Sequence, residues 1–435
     1  MFPAAVLPRR PPFGDNPRVG ASGTRTQQRI LRAALEVFGE VGYHACGIDR
    51  ITAQADCSRP AFYQYFSSKE DLFRALSGEL ARRLLELTGR PDRIGSDGAG
   101  WSVLRDFVGE CGTVFDEYFP LFAVFSTAEA VDDAVASGSA RVFRRQAANL
   151  IDRIDRKGLR TRRLDLVTSV LLDGLWRAHR FRRSLAHADA VQVTSDRLDD
   201  ALTDVAHRAL YGQRPGINVR AHLGPALMPI AGAAPGWSAD GAEPPSSPAA
   251  RRTRSRLLDA GREVFVAQGY HDARVDDIVE RAETSHGTFY RYFGSKDDLF
   301  RILAARSGRV VVEAVERLRS TVDTSDAVST ADLRTWLRPY FRAYEAERPI
   351  LRSWVEASWA DQALRQVSPG EVAALQQRLA RFLAPRRFGD IDADALVLMA
   401  LLDRSLAFSA PEGPGERAVV DAFAEVMQHG LLIVP

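Results

Sequence analysis

Lysine is almost absent from this sequence: of 58 Lys and Arg residues, only Lys69, Lys157 and Lys296 are lysine. Cysteine is as scarce, at Cys46, Cys57 and Cys111. An odd count without metal-like spacing argues against a disulfide framework and against a zinc site, and suits a reducing, cytoplasmic setting. No apolar run approaches the roughly 20 residues of a membrane helix, so no membrane association is expected. The opening MFPAAVLPRRPPFGDNPRVG is too proline-rich, and its charges too poorly ordered, to read as a signal peptide. A phosphate-binding glycine loop, a His-Glu-x-x-His pair and a nucleophile elbow are all missing, so no enzyme is expected. His179 and His187 show no ligand spacing, so neither a metal nor a cofactor is implied. Strong net charge is lacking too: the formal value is +2. Any nucleic-acid binding then rests on a local basic face, which suffices because phosphate contacts are few and local.

What the sequence does contain is a duplication. At 435 residues and 46% hydrophobic composition the chain exceeds one ordinary domain. A shift of 227 positions lays Arg29, Leu31, Phe38, Gly42 and Tyr43 on Arg256, Leu258, Phe265, Gly269 and Tyr270. Ile51, Ala55 and Ser58 fall on Ile278, Ala282 and Ser285. Phe62, Tyr63, Tyr65, Phe66, Lys69, Leu72 and Phe73 fall on Phe289, Tyr290, Tyr292, Phe293, Lys296, Leu299 and Phe300. No gap is needed, and the period is far too long for a solenoid, so a whole domain is repeated. Two of the three lysines match across the repeat. That coincidence fits a role for the site or simple inheritance from the duplicated ancestor.

Within each copy the apolar spacing predicts three short helices. In the second copy the first helix carries Leu257, Leu258, Val264 and Phe265 and stops near Gly269. The second covers roughly Val275 to Ala282. After a turn at Glu283–Thr284, Ser285 stands where an N-cap belongs, and a third helix runs through His286–Phe293. Helix, short turn, helix is the geometry that lays a second helix in a DNA major groove. In the first copy Ser58 is the cap and Arg59, Pro60 and Ala61 form the first turn, where proline is tolerated because those N–H groups lack helical partners.

The run Phe-Tyr-x-Tyr-Phe-x-Ser-Lys-x-Asp-Leu-Phe, behind a capped short helix and a Gly-Tyr turn, resembles the N-terminal DNA-binding region of TetR-family regulators, once in each half. The resemblance implies an all-α chain in which each helix-turn-helix module precedes a helical ligand-binding and dimerisation domain. It also implies roles: Tyr63 and Tyr65, with Tyr290 and Tyr292, as backbone and base-edge contacts, and Lys69 and Lys296 as phosphate contacts. Tyr65 read on its own is equally a half-buried packing residue. The two readers differ at Arg59 against His286, Pro60 against Gly287, Ala61 against Thr288 and Gln64 against Arg291. Arginine takes guanine in a bidentate way, whereas alanine or a threonine methyl touches a thymine methyl, so unlike half-sites are expected. The family's small-apolar turn is replaced by Asp56–Cys57 and Glu283–Thr284, which leaves the packing of the turn open.

The organisation expected along the chain is a disordered arm at 1–22, a first helix-turn-helix domain at 23–76, and a first effector domain at 77–212. A linker at 213–249, a second helix-turn-helix domain at 250–303 and a second effector domain at 304–435 follow. The linker is dense in Pro, Gly, Ala and Ser, and a flexible chain of that length spans roughly 30–35 Å. Successive half-sites on one DNA face lie about 34–36 Å apart. Arg251, Arg252, Arg254 and Arg256 open the second module as candidate phosphate clamps, or as a solvated basic helix start. In the effector domains Phe115, Phe119, Phe122, Trp176, Tyr340, Tyr344 and Trp354 are candidates to line an apolar pocket, or simply core. Leu171-Leu172-Asp173 echoes Leu401-Leu402-Asp403, so the duplication includes the effector domain.

The function expected is that of a sequence-specific regulator of transcription, a repressor relieved by a small apolar, lipid-like effector, with double-stranded DNA as partner. The two units pair either as an internal pseudo-dimer or between two tandem chains. The alternative is a ligand-independent, architectural DNA binder, whose effector cores are solid.

Overall fold

A computed structural model describes residues 21–43, 45–128, 133–185, 193–212, 247–322, 328–360, 362–386, 389–403 and 415–432. The arm expected at 1–22 and the linker at 213–249 therefore lie almost wholly outside the described residues. Their inner edges are helical, since the first helix starts at Ala21 and another at Pro248. Among the described residues there is no strand, only one isolated bridge between Ile94 and Ile154.

The first unit comprises α1 (Ala21–Val41), α2 (Ile48–Gln54), α3 (Arg59–Tyr65), α4 (Lys69–Thr88), α5 (Gly98–Ala128), α6 (Asp133–Arg153), α7 (Leu164–Leu185) and α8 (Ser195–Tyr211). The second comprises α9 (Pro248–Asp272), α10 (Val275–Arg281), α11 (His286–Tyr292), α12 (Lys296–Thr321), α13 (Thr330–Ala360), α14 (Gln362–Leu383), α15 (Ile391–Leu402) and α16 (Glu416–Val426), with a π-helical turn at Met427–Leu431. The boundaries expected at 76 and 303 fall inside α4 and α12. Leu80, Leu84 and Leu87 carry the buried face of α4 onward, so nothing stops the helix there.

Each three-helix module closes over a phenylalanine core: Phe38 and Phe62 in the first, Phe265, Phe289 and Phe300 in the second, all nearly or fully buried. Each is then braced by one long helix of its own body. In the first unit Pro120 of α5 lies under Gly39 of α1, at a place where α5 kinks at Tyr118. That kink has the ordinary cause, a proline ring that removes a donor and crowds the preceding turn. In the second unit Ile350 and Trp354 of α13 complete the module's core, and Arg262 of α9 reaches Glu347 at 2.7 Å.

The two bodies share a core. α7 packs on α15 and α16, and α8 packs on α15 and on the π turn. Every residue of α15 is buried. A helix apolar on all sides, as IDADALVLMALL nearly is, belongs in the middle of a packed layer. Close approach marks the seam: Gly174 of α7 lies tightly against the end of the Leu401 side chain, and Gly430 lies so near the Val205 carbonyl that a β-carbon there would clash.

Candidate nucleic-acid interface

The two modules repeat their internal contacts as well as their sequence. Ser58 and Ser285 cap α3 and α11, each accepting from the backbone N–H three residues on at 3.2 Å. The turns before them hold Asp56 and Glu283 at φ 46° and 48°. These are non-glycine residues in the left-handed region, which answers the question the sequence left: the turn keeps a backbone suited to glycine without the glycine. Gly42 and Gly269, both at φ 78°, do supply that freedom in the preceding Gly-Tyr turn.

On this scaffold one side of each short helix faces outward. Ser58, Arg59, Pro60, Tyr63 and Gln64 are exposed, with Ala61 half-buried; Ser285, His286, Gly287, Tyr290 and Arg291 are exposed, with Thr288 half-buried. Tyr63 and Tyr290 are the conspicuous large exposed rings, 52% and 56% open, each set edge-on to the buried Phe62 or Phe289 beside it. An aromatic ring left in water on a helix otherwise cored by phenylalanine has a packing reason to be held and no packing reason to be exposed. Tyr65 and Tyr292 are half-buried against the module cores, as the packing alternative for Tyr65 has it.

The matched lysines are half-buried and bonded within their own modules. Lys69 Nζ donates to the carbonyls of Tyr43 and Cys46 at 2.9 and 3.1 Å, and lies 4.4 Å from the Tyr43 ring centre. Lys296 Nζ donates to Tyr270, His271 and Ala273 and lies over the Tyr270 ring. Each ammonium is spent on the carbonyls that follow the module's first helix, so these residues act as internal struts. That gives the repeat a physical reason. Burial beside the strut pushes the Tyr43 hydroxyl up to about 12. Among the four arginines ahead of the second reader, Arg254 is likewise buried, over Phe293, while Arg251, Arg252 and Arg256 are exposed.

Sequence reasoning missed two carboxylates at matched positions. Asp49 of α2 holds Arg59 at 2.6 Å, and Asp276 of α10 holds His286 at 2.6 Å. One step further along the same helices, Gln54 pairs with Glu36 and Arg281 with Glu263. In each pair the acid is kept and its partner changed. The signal was in the repeat alignment: acids identical in both copies, opposite the positions that differ.

The effector-pocket candidates are packed against one another and against the cores around them. Phe122 stacks between Phe115 and Trp176, and Phe119 meets Phe115 edge-on, with ring centres 4.9–5.6 Å apart. Tyr340 stacks on Trp336 and donates to the Leu402 carbonyl, and Tyr344 donates to Asp403. Trp354 packs in the second module's core. An apolar cavity of about 50 Å³ lies elsewhere, between α5, α7 and α8 and roofed by α15. Leu104, Phe107, Leu175 and Leu202 line it, with Val397 and Leu401 of the second unit. Thr168, also in its wall, is buried with no partner for its hydroxyl among the described residues. Nothing in an aliphatic sequence pattern separates a cavity wall from a filled core, so these residues were not legible beforehand.

A capped short helix presented outward, one turn beyond a helix that braces it, defines a helix-turn-helix DNA-binding module, and this chain has two. The family model described as bacterial regulatory proteins, tetR family, matches residues 30–76 and again 257–303. The two modules thus match the DNA-binding region of that family twice, in tandem along the chain. The HTH-type transcriptional activator FasR of Mycolicibacterium smegmatis is 46% identical over 67 residues, 15% of this chain and 30% of that protein. The HTH-type transcriptional repressor AcnR of Corynebacterium glutamicum is 36% identical over 74 residues, 17% of this chain and 36% of that protein. The chain thus matches about a third of the length of these relatives. A solved transcriptional regulator (TerR/AcrR family) from Aquifex aeolicus VF5 aligns with 41% of this chain and 96% of that chain at 18% identity and a TM-score of 0.31. Among the described residues no helix is long and apolar enough to cross a membrane, and no group of His, Cys, Asp and Glu is placed to hold a metal.

Proposed function

We propose that this chain regulates transcription by binding double-stranded DNA through two unlike readers, α3 and α11, and that a small apolar effector relieves the binding. The observation that carries the DNA reading is the outward face of both capped helices, with Tyr63 and Tyr290 exposed on each. Unlike residues at Arg59 and His286, Ala61 and Thr288, and Gln64 and Arg291 give the two readers different donors and methyl contacts, and so different preferred bases. The effector reading is supported by the cavity under α15. It is apolar but for Thr168, and α5, which forms one wall, also carries Pro120 beneath α1. A molecule that parts α5 from α15 therefore tilts the first reader. Such a molecule shifts the population only so far as it binds the tilted arrangement better.

A second reading has an observation of its own. The cavity is small and the aromatic set is packed ring against ring, as suits an architectural DNA binder with no effector. Selection of bound DNA from a random pool by the full chain, repeated with a series of fatty acids and alcohols, separates the readings. Two unlike half-sites, with release by an apolar compound, is the expected result. Release by nothing favours the architectural reading, and no enriched sequence overturns the regulator. Tyr63→Ala and Tyr290→Ala should each weaken binding about tenfold with circular dichroism unchanged, the loss of about 1.4 kcal/mol that a stacked or hydrogen-bonded contact represents; unchanged affinity in both contradicts the reader assignment.

A further inference from the structure

The seam between the two bodies carries its charge in one direction. Arg163 and Arg197 meet Asp421 and Asp390 at 2.8 and 2.7 Å, and Arg177 meets Asp403 at 2.8 Å. Arg180 also pairs with Asp403, and Arg197 lies 3.5 Å from Asp392. In every one of these cross-seam pairs among the described residues, the guanidinium comes from the first unit and the carboxylate from the second. Asp392 is fully buried and Asp421 nearly so, and the Asp403 side chain is 12% exposed.

A seam between identical units has the same residues on both sides, so it cannot be polar in this way. The duplicated sequence shows what like pairing would bring together. With Leu171-Leu172-Asp173 laid on Leu401-Leu402-Asp403, Arg160 and Arg162 take the places of Asp390 and Asp392. Two first units would then set Arg197 against arginines. In two second units Ala407 and Ala410 take the places of Arg177 and Arg180, and Asp403 would be enclosed without a counter-charge. Buried carboxylates without partners are strongly disfavoured, and juxtaposed like charges exclude a wrong partner.

We propose that the first unit is built to pair with the second unit of its own chain and against its own kind, so that the working species is one chain acting as a fixed heterodimer. This concerns how the units pair and stands whether or not the readers select a sequence. The test starts from the folded full chain carrying a protease site inserted within 213–246. The uncut protein is expected to have the mass of a single chain in native mass spectrometry. After cleavage the two fragments should stay together as a one-to-one complex of the same total mass. A two-chain mass before cleavage, or pairs of identical fragments after it, overturns the proposal. R163D/R180D/R197D sets acid against acid, and after cleavage its one-to-one complex should fall at least tenfold in abundance relative to the wild type. A folded variant, by circular dichroism, that keeps its complex undiminished would show that charge does not choose the partner. Should the variant fail to fold, the wild-type masses decide alone.

Discussion

The ammonium of Lys296 lies over the ring of Tyr270 and donates to that residue's own carbonyl at 2.8 Å, and Lys69 repeats the arrangement on Tyr43. In a chain that otherwise uses arginine, the compact, three-donor head of lysine fits a cluster of carbonyls that a planar guanidinium does not. Lys69→Met and Lys296→Met should therefore each cost stability, by about 1.5–3 kcal/mol, the range for hydrogen bonds to a charged group. The slope of log affinity against log salt should stay that of the wild type, since no phosphate contact is lost. Urea unfolding and a salt series of DNA binding check the two halves of this. A shallower slope with unchanged stability would restore the phosphate role.

Asp49 and Asp276 hold the first residues of α3 and α11, Arg59 and His286, each at 2.6 Å, which the proposed function makes the first residues of the two readers. Asp49→Asn should free Arg59 and alter base preference in one half-site alone; Asp276→Asn should do the same to the other through His286. The pairs are well exposed, so overall stability should hardly change. Comparing selected motifs for the two variants is the check, and identical motifs would mean that neither acid orients its reader.

Glu283 occupies a left-handed turn position that tolerates glycine. Glu283→Gly should leave stability near that of the wild type, whereas the β-branched Glu283→Val should cost about 1–2 kcal/mol. Thermal unfolding of the pair reads the difference, and equal melting points would mean that the turn relaxes.

Leu401 forms part of the cavity roof and abuts Gly174 across the seam. Leu401→Ala should destabilise the chain by about 2–5 kcal/mol and enlarge the cavity. A small apolar probe such as benzene should then raise the melting point of the variant more than that of the wild type. A variant that is neither destabilised nor rescued would place the roof elsewhere.

His179 is buried, and burial, with Arg182 nearby, pushes its pKa down to about 3. Asp199 lies 3.7 Å away, and burial pushes it up to about 6 against the pull of Arg105 and Arg182. At neutral pH the imidazole is uncharged, so the contact is not an ion pair. The histidine's contribution to stability is complete above its ordinary value of 6.5 and is lost as pH falls from there toward 3. The aspartate runs the other way: its contribution is complete below 3.8 and is lost as pH rises through 6. The two slopes oppose each other between about pH 4 and 6. Asp199→Asn removes one of them, so stability should fall more steeply on acidification than in the wild type. Urea titrations across that range would show parallel slopes if the pair is not linked in this way.

Much of the modules was legible before the fold. Ser58 and Ser285 are caps because a hydroxyl ahead of a periodic run satisfies a local N–H, and Tyr63 and Tyr290 stand out because the rings around them are spaced for a core. Such features act over three or four residues, a distance at which sequence spacing is spatial spacing. The aromatic set of the bodies shows the limit: Phe115 and Trp176 are 61 positions apart, and composition is the same whether they line a pocket or fill one.

By itself, then, the sequence determined the two capped modules and the repeat that relates them, written in local periodicity and identity, and the all-helical class through the family resemblance those modules carry. Tertiary structure alone decided that the matched lysines face inward, that α15 roofs a cavity of the other unit, and that the seam is basic on one side and acidic on the other. Those depend on contacts between residues up to 258 positions apart, as Arg163 and Asp421 are. Such contacts are set by how helix faces pack and which buried charges find partners, and no pattern along the chain encodes that directly.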